Sequence, residues 1–184
     1  MKTVTLFRHA KSGEKGNPRI RDFDRPLSDR GLKAAPKMGA AMRERHLRAT
    51  LILCSPSVRT RQTLTLASTE AWDNPPKVRF DKRLYEASAQ TILEVLKEVS
   101  EDADHIMVVG HNPGVQDFAV MLSVSGRERQ QLKDKLPTAS VVMLEFDEEL
   151  WKDLQPATGH VVLYMSPKTL PPAGRGQNSD YDHR

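Results

Sequence analysis

Thr3-Val4-Thr5-Leu6-Phe7-Arg8-His9 decides how this chain folds. Its first five residues are β-branched, aliphatic or aromatic, which predicts a buried strand. The run ends on a guanidinium and an imidazole. Both therefore sit at the carboxyl edge of a sheet, where open α/β sheets bind their ligands. Two later segments repeat the arrangement. Leu51-Ile52-Leu53-Cys54 leads into Ser55-Pro56-Ser57-Val58-Arg59-Thr60-Arg61-Gln62-Thr63, and Ile106-Met107-Val108-Val109 leads into Gly110-His111-Asn112-Pro113. If these ends are neighbours, two histidines and two arginines share one cationic pocket that contains a nucleophile.

The rest of the chain fits that frame. Apolar runs alternate with helical patterns, which predicts an α/β layered fold. Strands are expected at 2–8, 50–54, 105–109, 139–146 and 159–165, and helices near 28–46, 57–70, 88–100 and 114–124. Ser28 and Ser88 are expected as helix caps, and Pro36 as a kink in the first helix. Residues 13–26, rich in Gly, Pro, Asn and charge, read as a loop able to fold over the pocket. A single domain is expected over 1–168, with a flexible tail over 169–184.

Bulk composition narrows the function. Charged residues at 28% and hydrophobic residues at 38% suit a water-soluble protein, and no apolar run approaches the ~20 residues that span a bilayer. No signal-peptide pattern is present at the N-terminus, so a cytoplasmic location is expected, without membrane association. Cys54, the lone cysteine, reads as a packing residue. The net charge of +4 is mild and aromatics are only 5%. Nucleic-acid binding usually needs a concentrated basic face with aromatic platforms, so an anionic small substrate or a phosphoprotein fits better.

The three strand-end elements carry a resemblance. Arg8-His9-Ala10 resembles the Arg-His-Gly signature of the histidine phosphatase superfamily, with Ala10 in place of the usual glycine. Ser55 to Thr63 resembles its Ser-Pro-x-x-Arg-x-x-Gln-Thr element, and Gly110-His111-Asn112-Pro113 its third. Asp24-Arg25-Pro26-Leu27-Ser28-Asp29-Arg30-Gly31 and Met165-Ser166-Pro167 are similar to segments of the phosphohistidine phosphatase (SixA-type) branch. The likeness runs over residues 2–168. It implies a three-layer α/β/α sandwich with a mostly parallel central sheet, the phosphoglycerate mutase-like fold. It also implies a phosphatase that works through a covalent phosphohistidine intermediate. The implied substrate is phosphohistidine on a signalling protein such as a histidine phosphotransfer domain. A small phosphorylated substrate is the alternative, and a silent phosphate-binding module a third reading. Too little chain separates the second and third elements for the large lid of a mutase.

Each residue type suits its part. Guanidinium forks pair with phosphate oxygens, which points to Arg8 and Arg59 as substrate binders. Arg61, two residues on, cannot share the face of Arg59. His9 is the expected nucleophile: a neutral ring nitrogen attacks phosphorus, and water then releases the phosphoryl group. Taken alone, a histidine at a strand end also reads as a phosphate binder or a packing residue. The resemblance gives His111 the stabilisation of the transferring phosphoryl, where a turn-fixing histidine is the plainer reading. Lys11 and Ser12 are placed at the pocket rim, Ser12 as a possible binder. The proton donor is the open position. Glu86 is one candidate, equally readable as a charge at the start of a helix, and Asp24 is another, equally readable as an arginine partner. No cofactor and no metal site are expected, because no close ligand pair exists among the six histidines.

Overall fold

In a computed structural model of the chain, residues 1–100 and 102–171 are described. Six strands form one sheet: β1 (Lys2–Arg8), β2 (Leu51–Cys54), β3 (Lys77–Phe80), β4 (His105–Gly110), β5 (Val141–Phe146) and β6 (His160–Met165). Their spatial order is β3-β2-β4-β1-β5-β6. The pairs β3–β2, β2–β4 and β4–β1 are parallel, while β1–β5 and β5–β6 are antiparallel. The sheet is therefore mostly parallel, with an antiparallel edge hairpin.

Both faces are covered, which is why the central strands read as continuous apolar runs. In β4, Ile106 and Val108 enter one core cluster, and Met107 and Val109 enter the other. The first cluster is closed by α3 (Ala89–Lys97), α4 (Gly114–Leu122) and α5 (Arg127–Asp134) through Leu93, Leu96, Phe118 and Leu132. The second is closed by α1 (Asp29–Glu44) and α2 (Val58–Ala71) through Met38, Met42, Leu64 and Ala67. The architecture is thus an α/β/α sandwich.

Helix starts follow the sequence. Ser28, Ser57 and Ser88 each accept a hydrogen bond from a first-turn N–H of α1, α2 and α3. The first helix continues through Pro36 as one element. One strand and one α-helix fall outside the predicted set. β3 is a four-residue edge strand with mostly exposed side chains, and α5 buries only Leu132. Of the expected tail, Leu170 packs against the second core cluster and its N–H bonds the Ser166 carbonyl. The tail from residue 172 onward lies outside the described residues. No helix among the described residues is long and apolar enough to cross a membrane.

The tightest helix packing is between α1 and α2. A Cβ on Gly39 would stand 2.1 Å from the Ala67 carbonyl oxygen, closer than any real contact, so the helices touch only because this residue is glycine. Gly39→Ala must push them apart. The expected cost is about 1–3 kcal/mol of stability, read as a lower urea midpoint at unchanged slope.

Candidate active site

The strands that carry the three sequence elements, β2, β4 and β1, are consecutive in the sheet. Their carboxyl ends therefore open onto one cleft of about 550 Å³, lined by Arg8, His9, Ser12, Arg59, Glu86 and His111 among others. The structure brings Arg8, His9, Lys11, Ser12, Arg59, Glu86 and His111 to this cleft, whereas Asp24 is absent from its lining. Arg59 is buried in the first turn of α2, whereas Arg61 is exposed and lies over the Phe80 ring at 4.8 Å.

His9 lies at the cleft floor, 8% exposed. Its Nδ1–H donates to the Ala10 carbonyl at 2.7 Å. A carbonyl can only accept, so Nδ1 carries the proton and Nε2 of the neutral ring keeps its lone pair. Burial, reinforced by the positive charges of Arg59, Arg8 and Arg25, pushes the His9 pKa down to about 4. The ring is thus in its nucleophilic form at neutral pH. The strand end is fastened from α2: the Ala10 N–H donates to Thr63 Oγ1, which in turn donates to the Arg59 carbonyl.

His111 stands beside it, ring centroids 5.3 Å apart. Its Nε2 meets Ser55 Oγ at 2.8 Å, while Nδ1 is buried with no hydrogen-bond partner among the described residues. Burial and the neighbouring His9 push its pKa down to about 3. Among the described residues, the Nε atoms of Arg8 and Arg59 are likewise buried and unpartnered. Each of these orphaned groups carries a large penalty unless a ligand satisfies it. All three belong to residues that line the cleft with His9, and a hydrogen-bond-accepting anion suits the two guanidinium nitrogens.

Three other guanidinium nitrogens are anchored by protein. Arg8 Nη1 donates to the Leu136 carbonyl at 2.7 Å. Arg59 Nη1 and Nη2 donate to the Asp22 carbonyl and carboxylate at 2.7 and 3.0 Å. Asp22 also accepts from Arg25 Nε and from the Tyr85 hydroxyl. These donors, the Tyr85 hydroxyl foremost, hold its carboxyl well below the usual carboxylate range. The Tyr85 ring meets His111 edge-on at 5.4 Å and Phe23 at 5.0 Å. Asp22, Arg25 and Tyr85 are the site members that the sequence reading missed. Asp24, the carboxylate named instead, pairs with Arg21 at 2.7 Å. Glu86 is exposed at the cleft wall. Ser12 Oγ accepts from Arg25 Nη1 at 2.9 Å, so it holds the arginine that holds Asp22. The loop over 13–26 is pinned at its end by Leu27 N–H donating to Gln62 Oε1 at 2.8 Å.

A profile of the histidine phosphatase superfamily (branch 1) matches residues 4–92. An uncharacterized protein of Mycobacterium tuberculosis is 32% identical over 166 residues, covering 88% of this chain and 100% of the relative. The chain belongs to the histidine phosphatase superfamily. It is accordingly a phosphatase. Among solved structures, the candidate phosphohistidine phosphatase SixA of Nakamurella multipartitia superposes with TM-score 0.78 at 29% identity, covering 90% of this chain and 96% of that one. The corresponding Agrobacterium tumefaciens protein gives 0.74 at 27%, covering 90% and 98%. A protein histidine phosphatase SixA bound to tungstate shares the fold, with TM-score 0.72 at 19% identity over 90% and 97% of the two chains.

Superfamily membership leaves the buried imidazoles with a cost that can be measured. His9 and His105 are held down at about 4 and His111 at about 3, burial being the first cause in each case. All three folded values lie below the unfolded value of ~6.5, so the unfolded chain binds protons first as pH falls. Stability is therefore full above about pH 6.5 and is lost as pH falls from there, through about pH 4 for His9 and His105 and about pH 3 for His111. The loss from His9 alone is on the order of 3 kcal/mol by pH 4. Thermal scans across this range should show a steep fall in Tm. A Tm that stays level to about pH 4.5 would contradict the neutral-imidazole assignment.

Proposed function

We propose that the protein removes phosphate from phosphohistidine on a signalling protein, without a metal ion, through a phosphoryl group carried on His9. The observation that carries this reading is the free Nε2 of His9 in a cleft shared with Arg8, Arg59 and His111, each of which holds a buried nitrogen without a partner among the described residues. A phosphoryl group fits that set: it brings negative charge and several strong acceptor oxygens. Phosphoryl transfer relies on positioning and charge stabilisation, which two guanidiniums and an imidazole supply here. The same cationic lining repels a metal ion, so the arginines do the work a metal would otherwise do.

In the first half-reaction the Nε2 lone pair of His9 attacks phosphorus as the bond to the leaving group breaks. Arg8, Arg59 and His111 hold the equatorial oxygens. The phosphorylated ring keeps its Nδ1–H on the Ala10 carbonyl. Water then attacks phosphorus, and the P–N bond breaks to restore neutral His9 and release phosphate. The likeness in fold and sequence to the Nakamurella and Agrobacterium proteins supports phosphohistidine as substrate. Glu86 supports a second reading. A carboxyl group at the cleft wall could protonate an ester oxygen, as a small-molecule phosphomonoesterase requires.

A panel of phosphohistidine protein, phosphoserine and phosphotyrosine peptides and sugar phosphates, assayed with chelator present, tests the proposal. Highest kcat/KM on phosphohistidine protein is expected. Activity confined to the esters would select the second reading, and loss in chelator would remove the metal-free mechanism.

A further inference from the structure

We propose that Asp22 determines specificity on the leaving-group side of the cleft. Its carboxylate accepts a hydrogen bond from the protonated distal ring nitrogen of the substrate's phosphohistidine. The proposal rests on the phosphohistidine reading above and adds the residue that would select that leaving group.

Placement is the first argument. An in-line displacement puts the leaving group opposite the attacking atom. His9 lies at the floor, so the leaving group points to the mouth. The Asp22 side chain lines the same cleft and is 46% exposed, while the Arg59 side chain that it binds is 6% exposed. Asp22 therefore stands on the solvent side of the phosphate site.

Acceptor capacity is the second. A carboxylate offers about four lone-pair sites. Arg25 Nε uses one on Oδ1, and Arg59 Nη2 and the Tyr85 hydroxyl use two on Oδ2. One site on Oδ1 is left. Three donors also fix the group in place, so an incoming donor meets an acceptor that is already oriented.

Chemistry is the third. The same three donors keep Asp22 ionised at neutral pH, so it has no proton to give. A leaving group beside it must bring its own. Phosphohistidine does so: with a proton on the distal nitrogen, the P–N bond breaks, its electron pair returns to the proximal nitrogen, and neutral imidazole departs. His9 gains the phosphoryl group and becomes the cationic phosphoimidazole, so no enzyme proton is consumed. An alkyl ester would leave as an oxyanion facing a fixed negative charge. The one carboxylate thus favours one leaving group and opposes the other.

The two half-reactions separate this role from mere support of Arg59. Only the first involves the substrate's leaving group, whereas Arg59 serves both. Asp22→Asn is to be measured by rapid quench on a phosphohistidine peptide, following formation and decay of radiolabelled phospho-His9, and with p-nitrophenyl phosphate as a second donor. A charge-assisted hydrogen bond supports about a 10- to 100-fold effect. Formation of phospho-His9 from the peptide should slow at least about tenfold more than its decay. The preference for the peptide over p-nitrophenyl phosphate should fall by a similar factor. Equal slowing of both half-reactions, or equal loss on both donors, would overturn the proposal. Asp22→Ala, with inorganic phosphate affinity and Tm measured on both variants, keeps the comparison on folded protein. Failure of the underlying reading appears separately, as wild-type protein that takes no phosphate from the peptide.

Discussion

Replacing His9 with alanine is expected to lower kcat by at least about 10⁴-fold, in the range seen when a covalent nucleophile is removed. The prediction follows from the ring's tautomer. Nδ1 is committed to the Ala10 carbonyl, so Nε2 is the only nitrogen of His9 free to attack. The neighbouring groups are poorly suited to replace it: His111 Nε2 is engaged with Ser55 and its Nδ1 is buried, and the thiol of Cys54 is buried and pushed up to about 12. The variant should yield no acid-labile radiolabelled protein after quench. It should still bind inorganic phosphate, because the unpartnered nitrogens of Arg8, Arg59 and His111 remain. It should also resist acid better than wild type, since one imidazole that must stay neutral to fold is gone. Turnover within about tenfold of wild type would remove His9 from the mechanism.

Much of this site was legible before any coordinates, for a physical reason. Arg8, His9, Arg59 and His111 sit directly after strand-forming runs, and strands in one parallel sheet must present those ends together. What stayed hidden is what depends on long-range closure or weak patterning. Asp22 meets Arg59 and Tyr85, 37 and 63 positions away, and nothing in residues 13–26 distinguishes it from Asp24. The loop's fold makes the choice: Asp22 turns inward to Arg59 and Tyr85, while Asp24 turns to Arg21. β3 reads poorly because Lys77-Val78-Arg79-Phe80 is an edge strand with charges on it and paired prolines before it. α5 carries no apolar stripe, so periodicity cannot reveal it. Gln62 and Thr63 show the converse. They were visible as part of a motif, yet their work is mechanical: one pins the end of the loop at Leu27 and the other fastens the strand end at Ala10.

Arg59 is where the loop and the phosphate site meet, and its replacement should carry a large cost, second to that of His9. Arg59→Ala removes a buried fork with a free Nε, and Asp22 loses its salt bridge to that guanidinium. Loss of one preorganised donor to a developing negative charge costs about 10²–10³-fold in kcat, and the unbalanced Asp22 charge beside the site should carry the loss in kcat/KM beyond that. Arg59→Lys keeps the positive charge but not the planar fork. Its three donors radiate from a single nitrogen, so they cannot span the Asp22 carbonyl and carboxylate as the fork does, and a loss of about 10²-fold is expected even there. Both half-reactions should slow in either variant, because the phosphoryl group occupies the same site while moving to His9 and while leaving it. That pattern is opposite to the one expected of Asp22→Asn. Folding should be little affected, since the Asp22 side chain is half-exposed and water can take over its hydrogen bonds. Rapid-quench rates for both half-reactions, with Tm as control, test the assignment. Normal decay of phospho-His9 in Arg59→Ala would show that this guanidinium does not grip the transferring group.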